Sequence, residues 1–459
     1  MSALRRAQQS EHRGFVIPNR VASARLDLRR RTLRLHPTTR VVLAVLVSGV
    51  ASGVAGGLLT LLLHGVQHLA YGYHDNPFVI GVERSSPLRR ILAPVVGAAV
   101  VAAAWVWLRR SPLPGVRDAV TRQPKRMPVV RTLFDAVLQI AMVGTGSSVG
   151  REGAPRQAAA VLTSSVSSVF VLPVAMRRVL IASAAGAGLA AVYNVPLSGA
   201  VFAVEVLAIG YRHHHAVIAL AMSLIATYVA RPVVTGDPTY SYPAHLGVPA
   251  SAWAWAVLAI PVCALVGRGF AVANRWARLH RPGPTWRLPV AMVLGALAIG
   301  VLSVWLYALP GNGKGIVQLT MLGSGATLTY AALVVLKPAA TALSVGTGVT
   351  GGLLTPSMAT GAALGAAVAG AGGGLGLTLP LAAFGLIAAV GVLAATQDAP
   401  WFAAVMGWEL AHPPLLMAVP LLAVSWGVVL LTRAMTRRRE LRTSLIAMEQ
   451  YYGHAGPAA

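Results

Sequence analysis

Gly150-Arg151-Glu152-Gly153-Ala154-Pro155-Arg156-Gln157 is the stretch that decides how the rest of the chain reads. It follows a Gly/Ser-rich turn, Gly144 to Ser148, and precedes an apolar run from Ala158 to Val171. A carboxylate therefore stands at the glycine-rich start of a helix, in a chain that is 56% hydrophobic and only 11% charged. Soluble domains average about a quarter charged residues, so this is the composition of a polytopic membrane protein. Charged groups at bilayer depth are costly and mark functional positions by default. Free backbone N–H groups at a helix start attract anions. A tethered carboxylate at such a start competes with a dissolved anion for the same donors, as a gate would.

The single cysteine, Cys263, excludes an intrachain disulfide and any CxxC metal site and reads as a small packing residue. The net charge is +25, and the positive residues sit at the ends. Residues 1–40 hold ten arginines against Glu11 and Asp27, and the far end carries Arg433, Arg437, Arg438, Arg439 and Arg442. Nucleic-acid binding is one reading of such arms. The positive-inside rule accounts for them better, with both termini cytoplasmic and an even number of crossings. The first forty residues lack the apolar core of a signal peptide. The expected organisation is a basic cytoplasmic segment 1–40, a transmembrane domain 41–435 in the inner cell membrane, and a cytoplasmic tail 436–459.

Apolar segments follow one another near 41–69, 89–108, 131–143, 157–171, 177–192, 197–210, 215–234, 252–278, 288–309, 326–340, 357–371, 378–396, 401–411 and 414–432. Several are shorter than the ~20 residues a full crossing needs, and many are broken by Gly or Pro. Short, interrupted helices in a membrane protein converge on a site near the midplane, where irregular backbone lines a polar cavity. An internal repeat reinforces this. Asn194-Val195-Pro196 and the segment through Glu205 match Asp398-Ala399-Pro400 and the segment through Glu409. The preceding turns match too: Gly150 to Pro155 pairs with Gly351-Gly352-Leu353-Leu354-Thr355-Pro356. Two halves, roughly 41–234 and 252–432, are the natural division, and the fold class is all-α with many short, tilted, interrupted helices.

With these motifs in order, the chain resembles the CLC family of chloride channels and proton-coupled chloride exchangers over most of residues 41–446. Gly150-Arg151-Glu152-Gly153-Ala154 is similar to the family's GREGP motif. Ala185 to Glu205, with Asn194, Pro196, Leu197 and Gly199, resembles the segment that follows it. Gly352-Leu353-Leu354-Thr355-Pro356 resembles GxFxP, and Arg110-Ser111-Pro112-Leu113-Pro114 occupies the place of GSGIP. The resemblance implies an inverted-repeat fold, a homodimer with one pore per subunit, and helix N-termini meeting at a central anion site. It implies Glu152 as the gate, and Ser111, Gly150, Arg151, Gly153, Gly352, Leu353 and Leu354 around the anion. It implies no metal, no cofactor, and no partner beyond small anions, protons, lipid and a second subunit.

The departures carry information. Pro112 beside Ser111 removes an N–H and stiffens the loop. Leu354 replaces the aromatic residue of GxFxP. The family's pore-lining tyrosine should fall near Arg442 or Thr443, and Tyr451 and Tyr452 lie too far along to replace it. The internal proton-carrying glutamate of the exchangers is Val206 here, and Glu205 matches the acid before it.

Each singled-out residue keeps a plainer reading beside the functional one. Glu152 pairs with Arg151 or Arg156, or it gates. Ser111 caps a helix, coordinates an anion, or does both. The symmetric placement of Glu205 and Glu409 points to structural acids that hold backbone or arginine groups. His213-His214-His215 reads as a wet cytoplasmic loop. Asp398 before Pro400 reads as a helix cap. Lys337 beside Pro338 is either buried, biasing the pore, or a snorkelling lysine. Trp253, Trp255 and Trp305 read as interface anchors.

The leading function is passive conduction of an anion, most simply chloride, because Val206 cannot carry a proton. The alternatives are a proton-coupled chloride or fluoride exchanger, with water or Glu205 replacing the carrier, and a non-conducting scaffold. A membrane enzyme using Glu152 as acid/base lacks a catalytic partner in the sequence, so the chain is not expected to be an enzyme.

Overall fold

The computed structural model describes residues 27, 29–73, 77–121 and 127–453, with the backbone alone for 438–453. Most of the basic segment 1–40, the last six residues, and the side chains of Arg442, Thr443, Tyr451 and Tyr452 therefore lie outside the described residues.

The described chain is helical, with one isolated β-bridge and no named strand. The helices are α1 (Pro37–Tyr71), α2 (Phe78–Arg84), α3 (Pro87–Leu108), α4 (Val116–Thr121), α5 (Val129–Gly144), α6 (Gly153–Val169), α7 (Val174–Tyr193), α8 (Pro196–Val201), α9 (His213–Ala230), α10 (Ala250–Leu279), α11 (Arg287–Leu302), α12 (Lys314–Met321), α13 (Thr327–Gly346), α14 (Leu354–Gly374), α15 (Leu381–Gln397), α16 (Pro400–Ala411) and α17 (Ala418–Gly453). Each apolar segment read from the sequence becomes a helix. The short α2, α4 and α12 were not expected, because six to eight residues carry too little periodicity. Seven described helices are long and apolar enough to span a bilayer by length and composition.

Local chemistry sets the ends. Pro37 opens α1 where its missing N–H is harmless, and Gly72 closes that helix in the left-handed region at φ 71°, its N–H returning to His68 O. Asn194 closes α7 and Asp398 closes α15 in the same left-handed conformation, and Pro196 and Pro400 then start the next helices. Asp398 does cap a helix, as the C-terminal cap of α15, the helix before Pro400 and not the one after it. The left-handed backbone turns its carboxylate outward to Arg433 Nε at 2.8 Å.

α15 lies at the centre. Residues Ala382 through Ala394 are all buried, as expected of a helix that is apolar on every face. α14 packs against it so closely that a Cβ on Gly365 would overlap the Phe384 carbonyl oxygen. Small residues at such crossings bring backbones together where lipid supplies no hydrophobic drive. Cys263 packs under α15, its thiol 3.7 Å from Ala388 O.

Two sequence expectations fail here. Trp255 is a core residue, not an interface anchor: it stacks on Phe384 at 5.1 Å and its Nε1 donates to Phe384 O. Trp253 and Trp305 are exposed. The His213–His215 triplet opens α9 instead of forming a loop, pinned by a 2.8 Å bond between His215 Nδ1 and Ile209 O.

Gly365→Ala should lower the thermal midpoint in detergent, by the ~1–3 kcal/mol typical of overpacking. Gly373→Ala, with nothing within 4 Å of the added carbon, should not. Equal midpoints for the two variants would contradict the α14–α15 contact.

Candidate functional site

Two helix starts meet inside the protein. The loops before α6 and α14 touch through an antiparallel bridge: Gly150 N donates to Gly352 O at 2.7 Å, and Gly352 N to Gly150 O at 2.8 Å. Each N–H is taken by the other residue's carbonyl oxygen, so Gly150 and Gly352 do not offer these donors to an anion as the sequence reading expected. The Glu152 carboxylate lies directly over both glycines, so a Cβ at either position would displace it from this place.

Glu152 is fully buried and precedes the first residue of α6, yet it does not cap that helix. The sequence places the carboxylate at the start of its own helix. The structure instead sends it across to α14. Oε1 accepts from Leu354 N at 2.7 Å and from Thr355 N at 3.4 Å. Oε2 accepts from Thr355 Oγ1 at 3.3 Å and Tyr193 OH at 3.4 Å, and those two hydroxyls are 2.7 Å apart. The crossing follows from the bridge, which brings the bare start of α14 within one side chain's reach of Glu152.

Neither neighbouring arginine forms an ion pair with this carboxylate. Arg151 donates from Nη2 to Val192 O at 2.7 Å and lies 4.6 Å over the Tyr193 ring. Arg156 donates from Nε to the backbone oxygen of Glu152, not to its carboxylate, at 2.7 Å. Arg433–Asp398 is the one ion pair among the described residues. The structural-pairing alternative for Glu152 therefore fails. Lys337 is buried, not snorkelling: Nζ donates to Ser148 Oγ, Leu309 O and Gly311 O at 2.9, 2.9 and 2.7 Å. It fastens the turn that leads into Gly150.

On one side the site borders a cavity of about 680 Å³. Ser111, Gly153, Arg156, Gln157, Phe202 and Val206 contribute to its wall. Ser111 caps no helix. It is exposed in the irregular stretch between α3 and α4, and its carbonyl accepts from Arg131. Leu353 precedes the first residue of α14, half-buried.

Glu205 and Glu409 do not approach Glu152. Glu205 accepts from Trp401 N and Phe402 N, at 3.3 and 2.6 Å, at the start of α16. Glu409 accepts from Leu197 N, Ser198 N and Ser198 Oγ, at 2.8, 2.6 and 2.5 Å, at the start of α8. Each repeat helix thus carries the acid that satisfies the other's bare start. After Val201 the helix widens into a π-turn, Phe202–Val206, within which Glu205 reaches the start of α16 and Val206 lines the cavity. Glu205 is not among the residues that line that cavity, which disfavours it as a substitute carrier.

Sequence reasoning missed Thr355 and Tyr193 as partners of Glu152. Thr355 lay inside a quoted motif, but its hydroxyl had no assigned task. Tyr193 ends α7 and carries no local signal.

Glu409→Ala strands two N–H groups and a buried hydroxyl. It should cost about 1–3 kcal/mol of stability, read as a lower thermal midpoint, with anion selectivity retained. A changed selectivity at wild-type stability would place Glu409 in the permeation path instead.

Comparison with known proteins agrees with this architecture. Residues 95–432 match the family model described as voltage gated chloride channel. The chain is 28% identical over 341 residues to the voltage-gated ClC-type chloride channel ClcB of Salmonella typhimurium, covering 71% of this chain and 79% of that protein. It is 28% identical over 385 residues to ClcB of Escherichia coli O81, covering 81% and 90%. Among solved structures, a slow cyanobacterial Cl-/H+ antiporter superposes with TM-score 0.72 at 20% identity, over 87% of this chain and 95% of that one. A CLC-type fluoride/proton antiporter superposes with TM-score 0.68 at 22% identity, over 85% and 95%. These two likenesses establish the shared fold.

Proposed function

We infer the function from one premise: this chain belongs to the voltage gated chloride channel family, and so to a family of membrane anion transporters. The finer reading is a passive conductor of chloride in the inner cell membrane, with both termini cytoplasmic. Its gate is Glu152. The observation that carries this is the 2.7 Å bond from Leu354 N to Glu152 Oε1, made with no cation paired to the carboxylate.

A carboxylate held by neutral donors at a helix start is a tethered substitute for a free anion. When Glu152 is ionised it fills the start of α14. When it is protonated it loses charge-assisted hydrogen bonds, and its place on Leu354 N and Thr355 N opens to chloride. Neutral donors suit conduction because the ion must also leave. Ser111 and Gly153 would serve the anion from the cavity side.

Passivity rests on Val206. Its apolar side chain occupies the position of the proton carrier, and Glu205 is held at α16. Proton-coupled exchange of chloride or fluoride is the second reading, because two proteins of the same fold are described as antiporters. A non-conducting scaffold is the weakest reading, since Glu152 keeps the contacts with the start of α14 on which the gate reading rests.

The test is vesicle anion efflux with a simultaneous external pH reading. Glu152→Gln should raise chloride efflux and flatten its pH dependence. Loss of one charge-assisted competitor, worth about 1.5–3 kcal/mol, corresponds to roughly tenfold or more in site availability. Unchanged efflux in a folded Glu152→Gln protein would remove the gate. Uphill proton movement driven by chloride would overturn passivity.

The protein is also expected to be a two-fold dimer with two separate pores. α8, α16 and the helices after them would form the contact, where Leu197, Trp401, Leu415 and Leu416 are exposed. Cross-linking in membranes should give a band at twice the monomer mass; a particle that stays monomeric at all concentrations contradicts it.

A further inference from the structure

Asp135 is a further buried acid, beside Glu152 and Glu409, and the gate as described does not use it. It lies in the interior of α5 and is 6% exposed. Trp105 Nε1 donates to Oδ1 at 2.8 Å, and Gln139 Nε2 and Gln157 Nε2 donate to Oδ2 at 2.8 and 3.1 Å. All three donors are neutral. A neutral acceptor would satisfy them with a far smaller desolvation cost; the charge of the carboxylate also faces the Arg109 guanidinium, and a charged group at this depth marks a functional position by default.

Its position supplies that role. Asp135 lines the cavity, and among the described lining residues it is the one acid, facing Arg109, Arg117, Arg156 and Arg281. Those guanidiniums favour anions and oppose hydronium, so a proton held in this cavity needs a carboxylate. Asp135 also reaches toward the gate. Gln139 binds Asp135 through Nε2, while its Oε1 lies where a Cβ on Gly153 would approach to 2.7 Å. Gly153 is the residue after Glu152.

The surroundings of Asp135 are otherwise accounted for. From α3 come Trp105 and Arg109, whose guanidinium stacks 4.0 Å over the Trp105 ring and donates to Gly348 O and Thr350 Oγ1. From α6 come Gln157, Arg156 and, beyond Gly153, Glu152. α1 meets α5 through apolar side chains such as Leu59 and Leu63. On α5 itself, Arg131 is turned to the carbonyls of Leu108 and Ser111.

We propose that Asp135 is the cavity-side proton port of the Glu152 gate, held in place by Gln139 and Gln157. This rests on the reading of Glu152 as the gate. Hydronium in the cavity gives one proton to an Asp135 oxygen and becomes water. The proton then passes through water to a Glu152 oxygen, and Asp135 returns to a carboxylate. Only O–H bonds form and break, and nothing is oxidised or reduced. Glu152, now a neutral acid, releases Leu354 N and Thr355 N to an anion. The proton need not cross the membrane, so the port serves a passive pore from one side.

The experiment is anion current across a planar bilayer with pH set independently on each side. The cavity side is identified by Thr285→Cys, at the exposed loop beside the cavity, reacting with an impermeant maleimide; the native Cys263 is buried. Acid on the cavity side should raise the wild-type current. Asp135→Asn should lose most of that rise while responding normally to acid on the other side, and Asp135→Glu should restore it. An Asp135→Asn current that follows cavity-side acid as the wild type does would overturn the port, as would a wild type indifferent to cavity-side acid. If Glu152→Gln leaves the pH response intact, the gate reading fails, and the port fails with it. Uphill proton movement that Asp135→Asn abolishes would support the port and overturn passivity alone.

Discussion

Lipid offers no hydrogen bonds, so every helix that starts inside the membrane must find acceptors for its first N–H groups within the protein. The architecture answers that constraint by exchange between its repeats. Gly150 and Gly352 pair backbone to backbone. Glu409 serves the start of α8, Glu205 the start of α16, and Glu152 the start of α14. All three acids act across the repeat boundary, which ties the repeats together. Burial of an ionised group without a cation is tolerable here because each carboxylate accepts several donors and sits at the positive end of a helix.

The gate proposal singles out one of the three helix starts, that of α14, as the place where an acid gives way to an ion. Glu205 and Glu409 are fixed by their own helices, and the groups they hold belong to packed interfaces such as Phe202 against Phe402 at 5.3 Å. Glu152 stands instead at the hinge between a glycine-rich loop and α6, beside a cavity lined by guanidiniums. Arg151 and Arg156 are engaged elsewhere, which matters more than their charge. An arginine clamped on Glu152 would hold it through a salt bridge and replace a competition between anions with a lock. Lys337, bound to a hydroxyl and two carbonyls without an acid, fastens the turn without quenching the local positive potential.

Much of this was legible in the sequence, for identifiable reasons. Gly150–Pro155 and Gly351–Pro356 announce two glycine-rich helix starts, and the Pro-to-Glu spacing shared by 196–205 and 400–409 announces the repeat. Long apolar runs fix the helices because their composition admits no other structure in lipid. What stayed hidden depends on which elements meet. The sequence placed Glu152 on its own helix, since local reading cannot see a partner two hundred positions away. It read Trp255 as an anchor because a tryptophan near a segment end looks the same whether it faces lipid or Phe384. It read Asp398 as a helix cap without saying which helix, and one residue of left-handed backbone assigns it to the preceding one. Asp135 was visible as a lone acid in an apolar run and was passed over, because no motif named it.

The π-turn at Phe202–Val206 joins these themes. In a regular helix, adjacent residues already point about 100° apart. The extra residue in the turn lets Glu205 reach the start of α16 while Val206 faces the cavity. One short segment thus performs a structural task and walls the cavity within two residues. The consequence is a division of labour among acids. Glu205 and Glu409, which hold α16 and α8, are not among the residues that line the cavity. The acid on the cavity wall, Asp135, holds no helix start and is bound by side chains alone. Glu152 holds the start of α14 from a glycine-rich loop beside that cavity, and the proposed gate rests on its giving that start up to an anion.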